Sequence, residues 1–95
     1  MIDKRIKFDE AWNKEDNETV LYFIAPKEML YGDYPEAVSA EISIEFPTDL
    51  AEAEYATVEI SPTRYVEEDN GYEDYDWREI IIPDEEINAL IELAR

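Results

Sequence analysis

Residues Val66 to Trp77 read VEEDNGYEDYDW, in which Glu67, Glu68, Asp69, Glu73, Asp74 and Asp76 are carboxylates interleaved with Tyr72 and Tyr75. Carboxylate oxygens at this density suit two kinds of chemistry: holding a hard cation, or meeting a cationic protein surface. A calcium loop of the EF-hand kind needs oxygen ligands at fixed offsets around its glycine. With Gly71 at that glycine, the first ligand position falls on Val66 and the bidentate position on Trp77. Neither side chain offers a carboxylate, so the sequence predicts no metal site.

Catalytic chemistry is poorly served. The chain has no histidine and no cysteine, which removes the usual general base near neutral pH, thiolate nucleophiles and the familiar triads. Ser39, Ser43 and Ser61 fall in or beside apparent strands without a nucleophile-elbow motif. The two glycines, Gly32 and Gly71, are too few for a phosphate-cradling loop. A carboxylate pair at glycosidase spacing arises by chance among 26 acidic residues and carries no specificity. These absences predict a non-enzymatic chain without a cofactor.

Several elements must position the acidic stretch. Arg5 to Phe8 alternates as a short strand, although Phe8, Ala11 and Trp12 equally fit one helical turn, and Asn13 to Glu18 reads as a turn. Thr19 to Ala25 is apolar and β-rich, the best candidate for a central strand, and Pro26 stops it. Val38, Ala40, Ile42, Ile44 and Phe46 alternate with Ser39, Glu41, Ser43 and Glu45, the pattern of a strand buried on one face. Ala56, Val58 and Ile60 alternate with Tyr55, Thr57 and Glu59 in a further strand closed by Pro62. Trp77 to Ile82 forms a short last strand ended by Pro83.

Asp84 to Ala94 then places Ile87, Leu90, Ile91 and Ala94 on one helical stripe, with acidic residues in the first turn where the helix dipole favours them. The expectation is one α+β domain over residues 1–95: an antiparallel sheet of about four to five strands with a C-terminal amphipathic helix on its apolar face.

Charge narrows the partner class. The 26 acidic and 8 basic residues give −18, but residues 1–14 sum to +1, with Lys4, Arg5, Lys7 and Lys14 against Asp3, Asp9 and Glu10. Everything beyond carries −19. Such a surface repels nucleic acid and anionic membrane and attracts basic proteins. The longest apolar run, Val20 to Ala25, is far too short to span a bilayer, and MIDKRIKFDE lacks the apolar core of a signal peptide. With cysteine absent, the chain reads as soluble and cytoplasmic.

The partner-binding candidates are Glu67, Glu68, Asp69, Tyr72, Glu73, Asp74, Tyr75 and Asp76. Tyrosine adds apolar area and a ring face on which arginine stacks, which a purely solvating segment would not need. A second patch of the same kind is Glu28, Tyr31, Asp33, Tyr34 and Glu36. A third lies on the wet strand faces, with Glu41 and Glu45 on one strand and Tyr55 and Glu59 on the other. Carboxylates at several-ångström spacing on a rigid sheet approximate a row of phosphates.

In charge and size, residues 15–95 resemble the small acidic DNA-mimic inhibitors of phages and mobile elements, of the anti-CRISPR and anti-restriction type, although no motif is shared. The resemblance implies a non-catalytic inhibitor that occupies the basic nucleic-acid channel of a nuclease or its complex. The basic N-terminus departs from a uniform mimic. The alternative is a small accessory or self-associating domain in which the acidic surface serves only solubility, with Met29, Leu30 and Tyr31 as its apolar contact. In that reading Trp12 and Trp77 pack at the core edge. Sequence leaves the oligomeric state open.

Overall fold

Alternating apolar residues in the middle of the chain form the central strands. The computed structural model describes residues 3–15, 17–50 and 53–95. Strands β1 (Lys7–Lys14), β2 (Glu18–Ala25), β3 (Ala37–Pro47), β4 (Thr57–Val66), β5 (Gly71–Asp74) and β6 (Arg78–Ile80) precede helix α1 (Asp84–Leu93). The sheet is antiparallel in the order β1-β2-β3-β4-β5, and β6 also pairs with β4. Thus β5 and β6 lie end to end along one edge of β4, opposite Thr63–Val66 and Val58–Ile60 respectively. The α+β class with a C-terminal helix agrees with the sequence expectation, but among the described residues the strands number six rather than four to five.

The differences have local causes. β1 runs on to Lys14 because its edge position asks for backbone pairing rather than an apolar side-chain pattern, and every one of its residues is exposed. The predicted turn is correspondingly shorter, and its Asp16 lies outside the described residues. β4 passes through Pro62 instead of stopping there. The segment expected to be a connecting acidic loop contains strand β5, entered through a 3-10 turn at Glu67–Asp69 and Asn70 in the left-handed region, φ 49°. Tyr55 falls in a 3-10 turn before β4 rather than on its wet face.

One face of the sheet is the core. Leu21, Phe23, Ala40, Ile42, Ile44, Phe46, Val58 and Ile60 are buried with Ile87, Leu90 and Ile91 of α1. Each fully buried side chain of this size contributes about 1.5–3 kcal/mol. The predicted helical stripe is therefore the side that docks, with Ala94 packed at its margin. Met29 and Leu30 also pack against this core, which removes them from the proposed apolar contact and leaves Tyr31 outside it. Trp12, 58% exposed, and Trp77, 41% exposed, stand at the surface rather than at a packed core edge. An irregularity between Ala37 and Ser39 takes Val38 out of the core-facing alternation and leaves it exposed.

Candidate functional site: an acidic open sheet face

The helix covers one face of the sheet, and register places the other set of side chains together. Across the strands, Glu10 is level with Tyr22, Ser43, Glu59 and Glu79. The next rows hold Trp12, Val20, Glu45 and Thr57 on one side, and Ile24, Glu41 and Ser61 on the other. Lys14 is level with Glu18, and Thr63 pairs with Asp74. Residues directly opposite each other on paired strands share a face. The open face therefore carries Glu10, Glu18, Glu41, Glu45, Glu59, Asp74 and Glu79, with Lys7 and Lys14 as its basic members among the described residues. Strands lie about 4.8 Å apart, and alternate residues along a strand about 7 Å apart, so the acids form a staggered grid.

Contacts within the face confirm the grouping. Lys14 Nζ lies 3.6 Å from Glu45. A hydrogen bond with Glu45, together with that neighbour's charge, raises Glu18 above the usual carboxylate range. Glu41 is pushed up to about 8, first by burial and then by its hydrogen bond and charge repulsion with Asp74, with Asp9 and Glu10 adding to the repulsion. Asp74 also accepts a hydrogen bond from the Thr63 hydroxyl. Burial and the neighbouring carboxylates Glu41 and Glu10 likewise raise Tyr22.

Beside Glu41 the face dips into a groove of about 500 Å³ lined by Asp9, Ile24, Val38, Ser39, Thr63 and Tyr72 together with Glu41 itself. Its walls combine apolar area with carboxylates, a pairing suited to a long cationic side chain. Tyr72, 70% exposed, meets Tyr65 edge to face at 5.4 Å and stands at the groove rim.

The sequence-predicted residues divide between two sides of the molecule. Tyr72 and Asp74 belong to the open face. Glu67, Glu68 and Asp69 are exposed at the tip of the β4–β5 hairpin. Glu73, Tyr75 and Asp76 instead join the second patch. Arg64 bridges Glu36, at 2.9 Å, and Glu73, at 2.6 Å, while its guanidinium lies 4.5 Å from the Tyr75 ring centroid. Tyr75 packs edge to face on Tyr34 at 6.0 Å, and the Tyr34 hydroxyl donates to Asp76 at 2.8 Å. Arg78 completes the cluster at 3.1 Å from Asp76. The Tyr34 hydroxyl, followed by Arg78, holds Asp76 below the usual carboxylate range.

Glu36, Glu73 and Asp76 thus spend their charge on Arg64 and Arg78. Two stretches distant in sequence are brought together here, but as an internally compensated clamp. Of the remaining second-patch residues, Asp33 is exposed, Tyr31 is 81% exposed, and Glu28 lies 3.6 Å from Arg5.

Sequence reasoning found Glu41, Glu45 and Glu59 through strand alternation. It missed Glu10, Glu18 and Glu79, because their strand faces follow from register and not from a local apolar pattern. Among the described residues no grouping of acidic side chains has the arrangement of a metal site, and no helix is long and apolar enough to cross a membrane. Comparison with family models, with curated proteins and with solved structures finds no match to this chain. Fold and site define an α+β domain whose helix seals one sheet face and whose other face is a carboxylate grid.

Proposed function

We propose that this is a non-enzymatic acidic binding protein, acting in the cytoplasm, whose open sheet face engages a basic nucleic-acid-binding protein as a nucleic-acid mimic. The observation that carries the reading is the collection of Glu10, Glu18, Glu41, Glu45, Glu59, Asp74 and Glu79 on one rigid face. A chain that used acids only for solubility would have no need to concentrate them there. Backbone pairing fixes where each side chain leaves the sheet, so no backbone ordering entropy is lost when a partner's cations dock. In the groove beside Glu41, a partner arginine packs its aliphatic stem on Ile24 and Val38 and presents its guanidinium to Asp9 and the Tyr72 ring, and its charge draws the proton off Glu41 as it docks. The hairpin acids Glu67, Glu68 and Asp69 extend the same negative field and steer the approach.

The reading is of an inhibitor of the anti-CRISPR or anti-restriction type, with a nuclease or its complex as the partner class. Displacement of a short fluorescent DNA duplex from basic nucleases and DNA-binding proteins tests it directly. Mimicry requires mutually exclusive binding of duplex and this protein to at least one such target. It also requires loss of displacement when Glu45 and Glu59 are changed to Lys. A target bound at the same time as its duplex, or displacement unaffected by both reversals, overturns the reading.

A further inference from the structure

The two edges of the sheet are unlike. One is broken where β5 gives way to β6, and Asp76 and Trp77 leave the ladder between them, Asp76 in the left-handed region. The other is β1, eight residues long, paired only to β2 and exposed throughout. It presents an unpaired row of amides and carbonyls, which is a template for another strand. It also coincides with the part of the chain that is not acidic, since residues 1–14 sum to +1 within a protein of −18. Two such polyanions approach each other at least electrostatic cost through that edge.

We infer that β1 pairs antiparallel with β1 of a second copy, giving a two-fold dimer with Trp12 at its axis. Register decides this. Outward-facing amides meet outward-facing carbonyls only when residues of equal parity lie opposite each other. Centring the pair on Glu10 sets two glutamates face to face, and centring it on Ala11 leaves Lys14 opposite Phe8. Centring on Trp12 places Glu10 of each copy opposite Lys14 of the other, twice by symmetry. Glu10, Trp12 and Lys14 share the open face, so the two ion pairs flank a tryptophan pair whose exposed rings cover one another. The register shift between Phe8 and Glu10 ends the paired run at Glu10. The contact consumes the β1 edge and the broken edge offers no second one, so association closes at two copies. The basic start of the chain, out of place on a uniform mimic, has its use at this seam.

Sedimentation equilibrium of the full chain across micromolar to millimolar concentrations tests the inference without any partner. The wild type should pass from its 11.2 kDa monomer to twice that mass. Glu10→Lys and Lys14→Glu should each weaken association at least tenfold. An equimolar mixture of the two variants should recover it, because both cross-strand pairs then become opposite in sign. That recovery also separates lost pairing from lost folding. A monomer at every concentration, a dimer indifferent to Glu10→Lys, or a mixture that stays monomeric overturns the proposal. None of these outcomes depends on whether the acidic face mimics nucleic acid.

Discussion

The Ser61 hydroxyl donates to the Tyr75 carbonyl oxygen at 2.6 Å, supplying the donor that Pro62 lacks. Tyr75 N–H in turn donates to the Pro62 carbonyl at 3.1 Å. A regular antiparallel pair would exchange two backbone bonds here, and proline can accept but not donate. A neighbouring side chain completes the exchange, so the sheet tolerates a proline at the junction between β5 and β6. Ser61 is fully buried, so losing its hydroxyl strands the Tyr75 carbonyl. Ser61→Ala should cost about 1–3 kcal/mol in urea unfolding. Hydrogen exchange should accelerate in β5 and β6 more than in β2 and β3.

Arg64 holds the two acidic stretches together through Glu36, Glu73 and the Tyr75 ring. Its side chain is 38% exposed, so the clamp is worth little more than a surface pair. Arg64→Met should lower the denaturant midpoint only slightly, because solvent screens an exposed pair. It should also release Glu73 and Glu36 to solvent, raising electrostatic attraction to a polyarginine peptide rather than reducing it.

Glu41 sets a pH dependence. Its folded value of about 8 lies above its ordinary 4.5, so between these limits the folded chain retains a proton that the unfolded chain gives up. The stability this group contributes is complete below about 4.5 and is withdrawn as pH rises to about 8. Thermal midpoints should therefore fall over that interval. Glu41→Gln should flatten the slope and melt higher than wild type at the alkaline end. An unchanged slope in the variant would assign the dependence to the other carboxylates.

The open face and the clamp should respond differently to charge reversal. Glu45→Lys and Glu59→Lys should each weaken binding to a duplex-displacing partner by about 1 kcal/mol, several-fold in Kd, and make the affinity less steep in salt. Glu73→Lys, placed against Arg64, should chiefly lower the unfolding midpoint. Parallel binding titrations and melts on the three variants separate the two effects.

Much of this architecture is legible in the chain itself. Ala40 to Phe46 alternates because a half-buried strand must, and Ile87, Leu90 and Ile91 recur at helical spacing because one stripe must dock. Proline acts differently from site to site in this chain. At Pro26 it ends β2 as expected, but β6 covers only Arg78–Ile80 and stops before Pro83, and at Pro62 the strand continues because Ser61 replaces the missing donor. β5 was illegible because its four residues, GYED, lie in an acidic run and carry no apolar alternation. They are held by pairing to β4 and by contacts from Arg64 and Thr63.

The sequence by itself determined the charge, the exclusion of histidine- and cysteine-based chemistry, and the apolar alternation that builds an α+β core. These are properties of composition and short-range period, and they do not depend on which strands become neighbours. Tertiary structure alone decided which carboxylates act together. Pairing register carried Glu10, Glu18 and Glu79 onto the same face as Glu41 and Glu45, while Arg64 and Arg78 drew Glu73 and Asp76 into a compensated clamp. A carboxylate's role depends on the charges within a few ångströms of it, and in this chain those neighbours come from other strands.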